Sequence, residues 1–524
     1  MSKRFFSPVL LFLFLFTAGQ QPADILHYRF QVHLSDQSDT LNGLTTVRAK
    51  LLDNVSSLRL DLTRTGNNGK GMRVNRVTRS GKEDLRFSQS DNQVHLYFTH
   101  PAKKGDTLDL QIAYAGIPGD GLIISKNKYG KRTFFADNWP NRAHHWIPCV
   151  DDPADKASFE FLVTAPEHYQ VISNGIQVEE TNLPGQQKLT HWKEEIPLPT
   201  KVMVIGVAEF AVQQTGWLHN CIPVSSWVFP ENKNQGFYDY AQATEILAFY
   251  DGYIGPYPFK KLANVQSKTI YGGMENAGAI FYSEYSVTGE RRAEALIAHE
   301  IVHQWFGDMA SEKNFSHLWL SEGFATYLTH IYLEKKYGTD SLRQRMREDR
   351  NQVLEFVKLS RRPVADTSRN LMSLLNANSY QKGSWILHML RQELGDTVFH
   401  QAVRQYYAQY AGSNADSDDL QRVFEKVSGK DLGYFFSQWL HRPYNPELKI
   451  TRKADRLQIE QVQKGLSFRF PLTLKLDYSG HTITRTFAIT DQTHQFTIEN
   501  SDSLLRVETD PLVGLLAAIQ FVEF

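Results

Sequence analysis

The chain has 524 residues, a length at which roughly three domains are expected, because one hydrophobic core rarely extends beyond about 300 residues. Its 57 basic residues are balanced by 57 acidic ones, so the formal net charge is zero at pH 7. This balance excludes a global electrostatic field that would attract nucleic acid or an anionic membrane surface. Any specificity for a ligand or substrate must therefore come from a local site.

The first twenty residues have the layout of a secretory signal peptide. Lys3 and Arg4 precede an apolar run over residues 5–16, and small residues suited to cleavage follow it. The run is shorter than the ~20 residues that a membrane-spanning helix needs. We therefore expect residues 1–20 to direct export to the periplasm or to the outside of the cell, and we expect no membrane span in the mature protein. A buried N-terminal strand or helix is the alternative.

From about residue 25 the sequence has a period of two. Tyr28, Phe30, Val32 and Leu34 alternate with polar residues, as a half-buried strand requires. Similar short runs, separated by glycine, asparagine and proline, continue for most of the next two hundred residues. Residues 21–215 are therefore predicted to form an antiparallel β domain.

The next segment has the spacing of helices. Residues recur at steps of three and four, which places them on one helical face: Phe237, Tyr240, Thr244, Leu247, Tyr250 and Ile254. A further helix is predicted around residues 420–424, with Asp416 and Ser417 as capping candidates. Residues 216–445 are predicted to form a mainly helical domain.

The last segment returns to the period of a strand. It begins after the turn-forming residues Arg442–Pro446. The alternating apolar residues that follow are Phe468, Phe470, Leu472, Leu474, Leu476 and Tyr478. Residues 446–524 are predicted to form a small β-sandwich.

Cys149 and Cys221 are the only cysteines in the sequence. A network of disulfides is therefore excluded even in an oxidising compartment, and at most one bridge can form. One bridge and two buried thiols are both compatible with the sequence, and neither is expected to carry chemistry.

The strongest chemical signal is the sequence from His299 to His303, in which Glu300 follows the first histidine. Two histidines four residues apart project from the same face of a helix, so both imidazoles can reach one metal ion. A carboxylate at Glu300 lies beside such an ion, where it can accept a proton from water, and this suits hydrolysis. A pair of ordinary helix histidines is the alternative, but the apolar neighbours disfavour unpaired polar groups there.

A catalytic zinc site needs a third protein ligand and a position left for water. Glu322 is the candidate, because the eighteen residues that separate it from His303 allow a loop and the start of an antiparallel second helix. We therefore predict one zinc ion per chain, bound by His299, His303 and Glu322. A solvated glutamate is the alternative for Glu322 taken alone.

Further motifs surround this arrangement: Tyr253–Phe259, Gly272-Gly273-Met274-Glu275-Asn276 and Tyr380–Gly383. With them, the sequence resembles the gluzincin aminopeptidases, the family of aminopeptidase N and leukotriene hydrolase. The motifs cover most of residues 135–445. The resemblance implies an α+β multidomain protein with an N-terminal antiparallel β saddle domain, a thermolysin-like, mainly helical catalytic domain and a C-terminal β-sandwich.

The resemblance also implies the substrate, a peptide with a free N-terminus. Glu275 is expected to bind the α-ammonium, because opposite charges attract strongly in a closed site. Gly272 and Gly273 are expected to offer backbone groups to the peptide, with Met274 and Asn276 in the same binding segment. Tyr271 is expected to wall the pocket for the first side chain.

Tyr380 matches the family tyrosine that donates a hydrogen bond to the oxyanion of the tetrahedral intermediate. An interaction that strengthens only in the transition state raises the rate. Together with Glu300, Tyr380 is therefore predicted to be catalytic. From composition alone, with 23 tyrosines in the chain, core packing would be the expectation.

In relatives, a glutamine or glutamate of the N-terminal domain often lies beside the substrate amine, in a segment followed by Pro-Cys. The corresponding stretch here is Phe134–Asn141, which leads to Pro148-Cys149. Asp137 or Asn138 is the candidate, and Trp139 is the alternative residue that shapes the pocket.

The chain resembles a short form of the family, without the large helical domain that covers the active site in many relatives. A more open cleft, or one closed by a dimer partner, is the expectation, and the oligomeric state is left open. Two other functions stay as hypotheses. One is a related zinc hydrolase acting on a small non-peptide substrate such as an epoxide, and the other is a non-catalytic binding protein.

Overall fold

The computed structural model describes residues 22–499 and 503–523. The predicted signal peptide, residues 1–20, lies outside the described residues. Within them the chain runs from a β-rich part through a helical part to a final β part, as predicted for an α+β multidomain protein. The division into domains at particular residues stays a prediction.

The N-terminal part contains three sheets. The largest has eight strands in the order Ile176–Leu183, Gln187–Leu198, Ala157–Pro166, Ala23–His33, Leu41–Leu51, Thr107–Ile117, Gly71–Arg79 and Glu83–Asp84. A three-stranded sheet has the order Val55–Asp61, Gln93–Ala102 and Arg86–Gln89. A four-stranded sheet has the order Gln170–Ser173, Ile205–Ala208, Arg132–Ala136 and Leu122–Lys126.

The predicted alternation of the first strand is confirmed, because Tyr28, Phe30 and Val32 are buried within Ala23–His33. One pairing departs from the antiparallel expectation. Ala23–His33 lies parallel to Ala157–Pro166, while its other neighbour is antiparallel. Parallel neighbours need a long connection, and here the intervening chain supplies strands to all three sheets.

A five-stranded sheet joins the β-rich part to the helices. Its order is Ala211–Leu218, Ile222–Val228, Leu262–Ser267, Ala279–Ser283 and Gly273–Met274. The predicted boundary at residue 215 falls inside the first of these strands. The short strand at residues 273–274 forms one edge of the sheet, where it lies against the helix that carries His299 and His303.

The described residues contain nine α-helices: α1 Lys233–Tyr240, α2 Ala243–Tyr253, α3 Glu294–His303, α4 Trp319–Tyr337, α5 Thr339–Leu359, α6 Gly383–Leu394, α7 Asp396–Tyr410, α8 Ser417–Ser428 and α9 Gly433–His441. The apolar face predicted over residues 237–254 is divided between α1 and α2. Asp416 caps α8 as predicted, through a reciprocal pair of hydrogen bonds with Asp419, and Ser417 is the first helical residue.

The C-terminal part consists of two sheets. One has the order Thr493–Thr497, Arg456–Gln461, Glu447–Lys453 and Ala518–Glu523, and the other has the order Thr482–Ile489, Phe470–Tyr478 and Leu504–Thr509. The six alternating apolar residues predicted at positions 468–478 are all buried. A two-stranded ladder, Ser311–Glu312 with Asn414–Ala415, ties the loop after α3 to the start of α8.

The two cysteines do not form a bridge. Cys149 is buried and Cys221 is exposed, and both are free thiols. The expectation of two buried thiols is therefore correct for Cys149 and wrong for Cys221, which lies in the turn between two strands of the five-stranded sheet. Among the described helices, none combines the length and the apolar character needed to cross a membrane.

Candidate active site

Helix α3 carries the two predicted histidine ligands in its last turns. Ile297, Ala298, Ile301 and Val302 are fully buried, so the helix is held in the core by apolar side chains on several faces. It packs against α2 and α4. The imidazoles of His299 and His303 therefore project from a helix that cannot easily rotate or shift, as a preorganised site requires.

Glu322 lies in the first turn of α4 and reaches the two imidazoles, as predicted. Its Oε2 atom is 3.2 Å from Nε2 of His299 and 3.2 Å from Nε2 of His303. The two Nε2 atoms are 3.1 Å apart. Three ligand atoms from two helices therefore converge on one point.

These distances fit a tetrahedral metal centre. Zinc ligands of the imidazole and carboxylate types bind at about 2.0–2.1 Å, so neighbouring ligand atoms of a regular tetrahedron are about 3.3 Å apart. The observed separations of 3.1–3.2 Å are close to that edge length. The three residues occupy three corners of the tetrahedron and leave the fourth for water, as a hydrolytic site needs.

Two hydrogen-bond partners on the side of the ring away from the other ligands fix the orientation of His303. Its Nδ1 atom is 3.0 Å from the carbonyl oxygen of Phe306 and 3.0 Å from the hydroxyl of Ser321. A carbonyl oxygen only accepts hydrogen bonds, so Nδ1 carries a proton, and Nε2 is the ring atom that faces the other two predicted ligands. Ser321 precedes Glu322 in sequence, so the first turn of α4 both supplies a ligand and orients one.

Two further carboxylates lie beside the ligands. Ligand atoms of Glu275, Glu300 and His303 are all within 4.8 Å of one another. Glu275 and Glu300 are almost fully buried, and Oε1 of Glu275 has no hydrogen-bond partner in the described part of the chain. Buried carboxylates without partners are costly unless a cation compensates them. With Glu322 they make three carboxyl groups, whose ionised forms a divalent ion and one ammonium group would stabilise.

Backbone contacts position Glu275. It follows the edge strand Gly273–Met274, and Gln304, directly after His303, donates a hydrogen bond of 2.8 Å to its carbonyl oxygen. The same Gln304 side chain accepts a hydrogen bond of 2.7 Å from the backbone N–H of Gly278. Through these two hydrogen bonds, the end of α3 holds the segment that carries Glu275 beside the predicted metal ligands.

The pKa values reflect this crowding of charge. Burial and the neighbouring carboxylates of Glu275 and Glu322 hold the pKa of Glu300 well above its ordinary value. Burial likewise raises the pKa of Glu275. For Glu322, burial raises the pKa, but His303 and His299 lower it by more, so the carboxylate stays ionised. Burial lowers the pKa of His303, but the surrounding carboxylates outweigh burial and raise it to about 10.

Tyr380 stands over the ligands in a π-helical turn, Asn378–Lys382, that leads into α6. Its ring stacks on that of His299, with centroids 5.9 Å apart. Burial holds the pKa of Tyr380 well above its ordinary value, so the hydroxyl keeps its proton and can donate it in a hydrogen bond. A Cβ atom on Gly323 would lie 2.9 Å from the backbone of Gly383, so these two glycines allow α6 to approach α4 closely enough to place the tyrosine there.

A cavity of about 440 Å³ opens over these residues. Of the predicted site residues, those that line it are Tyr271, Gly272, Gly273, Met274, Glu275, His299, Glu300, His303, Glu322 and Tyr380. Trp139 lines it as well, with its ring edge-on to Tyr271 at 5.9 Å. The alternative expectation, that Trp139 shapes the pocket, fits this arrangement.

Asp137 does not reach the cavity. Its carboxylate pairs with Arg142 at 3.1 Å and accepts hydrogen bonds from Thr269 and from the backbone N–H of Ile270. The Asp137 side chain therefore stabilises the turn before Tyr271. The predicted contact with the substrate amine is wrong.

Asn138 and Asn276 are also turned away from the cavity. The amide of Asn138 donates to the carbonyl oxygens of Thr200 and Met203 and accepts from Trp146. Asn276 is fully buried and is absent from the cavity wall. A residue next to a binding residue in an extended segment points to the opposite side, and here that side is the core.

Besides Gln381 of the Tyr380–Gly383 motif, five polar residues of the cavity wall were not predicted as site residues: Thr326, Thr329, His330, Arg345 and Asp349. Thr326 and His330 follow Glu322 at four and eight residues, so the helical period could have placed them on the same face. Arg345 and Asp349 come from α5, and no sequence pattern connects that helix to the site.

Two imidazoles and a carboxylate that leave one position open, beside a further carboxylate, form the arrangement typical of mononuclear metallohydrolases. Two family descriptions match the chain: the Peptidase M1 N-terminal domain over residues 25–202 and the Peptidase family M1 domain over residues 238–439. The chain therefore belongs to peptidase family M1.

Named relatives agree with this assignment. The chain is 27% identical over 442 residues to "Probable aminopeptidase 2" of Sulfurisphaera tokodaii, which covers 79% of this chain and 55% of the relative. It is 26% identical over 436 residues to "Leucyl aminopeptidase" of Saccharolobus solfataricus, covering 78% and 54%. It is 28% identical over 336 residues to "Aminopeptidase M1-C" of Oryza sativa subsp. japonica, covering 61% and 38%. The chain thus spans about half or less of the length of these relatives.

Proposed function

We propose that this protein is a zinc-dependent aminopeptidase that removes single residues from the free N-terminus of peptides. Membership of peptidase family M1 and the names of the relatives support peptide hydrolysis. The convergence of His299, His303 and Glu322 supports one zinc ion per chain.

The observation that carries the proposal is the buried carboxylate of Glu275. It lies within 4.8 Å of the ligand group of His303, and its Oε1 atom has no partner among the described residues. An α-ammonium at that position would be bound one residue's length from a scissile carbonyl at the ligands. A neutral, blocked peptide end could not replace it, so the site selects free N-termini.

Each site residue then has a role. When bound, zinc supplies Lewis acidity toward the scissile carbonyl and the attacking water. Glu300, whose pKa is raised, accepts a proton from that water and passes it to the leaving amine. Tyr380 keeps its own proton and donates a hydrogen bond to the oxygen on which negative charge develops. Glu275 holds the ammonium so that the first peptide bond lies over Glu300.

The test compares aminoacyl reporter amides that carry free and acetylated amino groups, on the wild type and on Glu275→Gln. Acetylation should reduce kcat/KM by about 10²-fold or more, since the charged hydrogen bonds are lost and a buried carboxylate is left unpaired. Equal rates on the two substrates would refute the aminopeptidase proposal and favour a hydrolase that acts on another small substrate. A purified chain without stoichiometric zinc, in which added metal restores no turnover, would favour a binding protein.

We also propose that the protein is exported. The basic start, the apolar run over residues 5–16 and the small residues after it support a cleaved signal peptide. Sequencing the N-terminus of the mature protein from fractionated cells is the direct test. A mature chain that begins at Met1 in the cytoplasm would refute export.

A further inference from the structure

Arg345 contributes a permanent positive charge to the wall of the active-site cavity. It lies on α5, and its side chain is half-buried. Within residues 22–499 and 503–523, no acidic side chain forms an ion pair with it, whereas Arg343 pairs with Asp340 and Arg350 pairs with Asp510 on the same helix. A guanidinium that lines a cavity without a partner is a ready site for an anion.

The neighbouring acid is already engaged. Asp349 lies one turn after Arg345 on α5, but its Oδ2 atom is 2.9 Å from Nε2 of His330. The other ring nitrogen of His330, Nδ1, is buried without a hydrogen-bond partner in the described chain. His330 and Asp349 both line the cavity beside Arg345. This end of the cavity therefore offers the guanidinium of Arg345 and polar groups, and the carboxylate of Asp349 already has a hydrogen-bond partner in His330.

The end that holds Arg345 is opposite to the end that holds Glu275. Helices α3 and α4 run antiparallel, since Ser321 contacts His303 at 3.0 Å and Tyr332 contacts Glu294 at 3.0 Å. Glu275 is attached at the His303 end, through the hydrogen bond from Gln304. His330 lies eight residues beyond Glu322, toward the Glu294 end.

A substrate bound with its amine at Glu275 and its first carbonyl at the metal ligands therefore extends its leaving group toward Arg345. Eight helical residues from Glu322 to His330 span about 12 Å. His330 contacts Asp349, and Arg345 lies one turn nearer to the connection between α4 and α5, so the distance to its level is about 18 Å. An extended peptide covers about 3.3–3.6 Å per residue. Allowing for the length of the arginine side chain, peptides of about three to five residues would place their last residue beside Arg345.

We propose that Arg345 binds a substrate carboxylate on the leaving-group side, and that this carboxylate is the C-terminus of a short peptide. The inference rests on the proposed function, which fixes the direction of the peptide. The guanidinium can donate two parallel hydrogen bonds to a carboxylate, a geometry that neither a peptide amide nor an ester reproduces. The enzyme is therefore selective for short peptides with a free C-terminus.

The experiment measures kcat/KM for peptides of three, four and five residues, each as the free acid and as the C-terminal amide. Wild type should prefer the acid by about 10- to 100-fold at the best length, the range expected for a charge-assisted hydrogen bond. Arg345→Gln should bring the ratio close to one. Arg347→Gln is the matched control, because Arg347 is exposed on the same helix and does not line the cavity, and it should keep the wild-type ratio.

One further substrate identifies the source of the carboxylate. A peptide amide whose last residue is glutamate carries a side-chain carboxylate and no C-terminal one. If this peptide is cleaved with the same kcat/KM as the free acid, Arg345 binds acidic side chains, and the assignment to the C-terminus is overturned. If it behaves like the other amides, the assignment stands.

A binding measurement separates this inference from the proposed function. Calorimetry of the zinc-loaded Glu300→Gln variant with the same peptides should show tighter binding of the acid, and Glu300→Gln with Arg345→Gln should lose the difference. Turnover with equal rates for acid and amide overturns the inference and leaves the aminopeptidase proposal intact. Absence of turnover with preferential binding of the acid refutes the aminopeptidase and supports the carboxylate site. Equal binding of acid and amide overturns the carboxylate site in either case.

Discussion

Substitution of Gly273 by alanine tests the placement of the catalytic base without altering any charged residue. A Cβ atom at this position would lie 2.3 Å from Oε1 of Glu300 and 2.6 Å from its Cδ and Cγ atoms. Carbon atoms in contact are normally at least about 3.5 Å apart, so the carboxylate would have to move by about 1 Å. The atoms that must move are at the end of a flexible side chain, so we expect the fold to accept the change.

The expected consequence is a loss of turnover without a loss of folding. A displacement of about 1 Å in a catalytic group costs about 10²-fold in rate, and complete loss of a general base costs about 10²- to 10⁴-fold. We therefore expect kcat/KM of Gly273→Ala to fall by about 10²-fold or more on an aminoacyl reporter substrate. Zinc content and the melting temperature should stay close to the wild-type values.

Gly272→Ala is the neighbouring control. The atom nearest to its added Cβ would be Cδ1 of Leu296 at 3.7 Å, which is an ordinary contact. We expect a loss below about tenfold, because the backbone groups offered to the substrate are retained. In addition, Gly273→Ala should cost little more in the Glu300→Gln background, since both changes act on the same group. Near wild-type activity of Gly273→Ala with zinc bound would refute the assignment of Glu300 as the base.

Three further predictions concern the metal and the oxyanion. Tyr380→Phe should lower kcat by about 10²- to 10³-fold with little change in KM, since its hydroxyl acts in the transition state; a pure KM effect would contradict this. Removing zinc with a chelator should lower the melting temperature, because a ligand at 100 times its Kd stabilises the folded chain by about 2.7 kcal/mol; an unchanged melting temperature would argue against a bound ion. Zinc binding at pH 7 should release at least one proton, because the pKa of His303 is raised to about 10 without metal, so the imidazole is protonated below that pH and must lose a proton to bind. The apparent affinity should therefore rise by about tenfold per pH unit for one proton, and calorimetry in two buffers of different ionisation enthalpy would show no proton release if this is wrong.

Local periodicity was sufficient wherever a feature depends on neighbours in sequence. The spacing of His299 and His303 places both imidazoles on one helical face whatever surrounds the helix. The alternation over residues 468–478 predicts a half-buried strand, and the capping role of Asp416 follows from its side-chain chemistry. Each of these features depends on the geometry of one or two turns of chain, which the sequence specifies directly.

Features that depend on how distant segments meet were not predictable in this way. Asp137 was expected beside the substrate amine, yet it pairs with Arg142 and holds the turn at Thr269. No short-range pattern records which of two adjacent residues faces the cavity when the strand ends in an irregular loop. The parallel pairing of the first strand likewise depends on a segment more than one hundred residues away.

The sequence by itself therefore determined the kinds of element and the three candidate metal ligands, and it indicated hydrolysis, because these follow from residue type and local spacing. Only the tertiary structure decided that Glu275 and Glu300 lie together beside His303, how closely α6 approaches α4, and that Arg345 on α5 reaches the cavity. Those outcomes are set by packing between helices that are far apart in the chain. The energy of such contacts depends on the whole core, and no single segment of sequence encodes it.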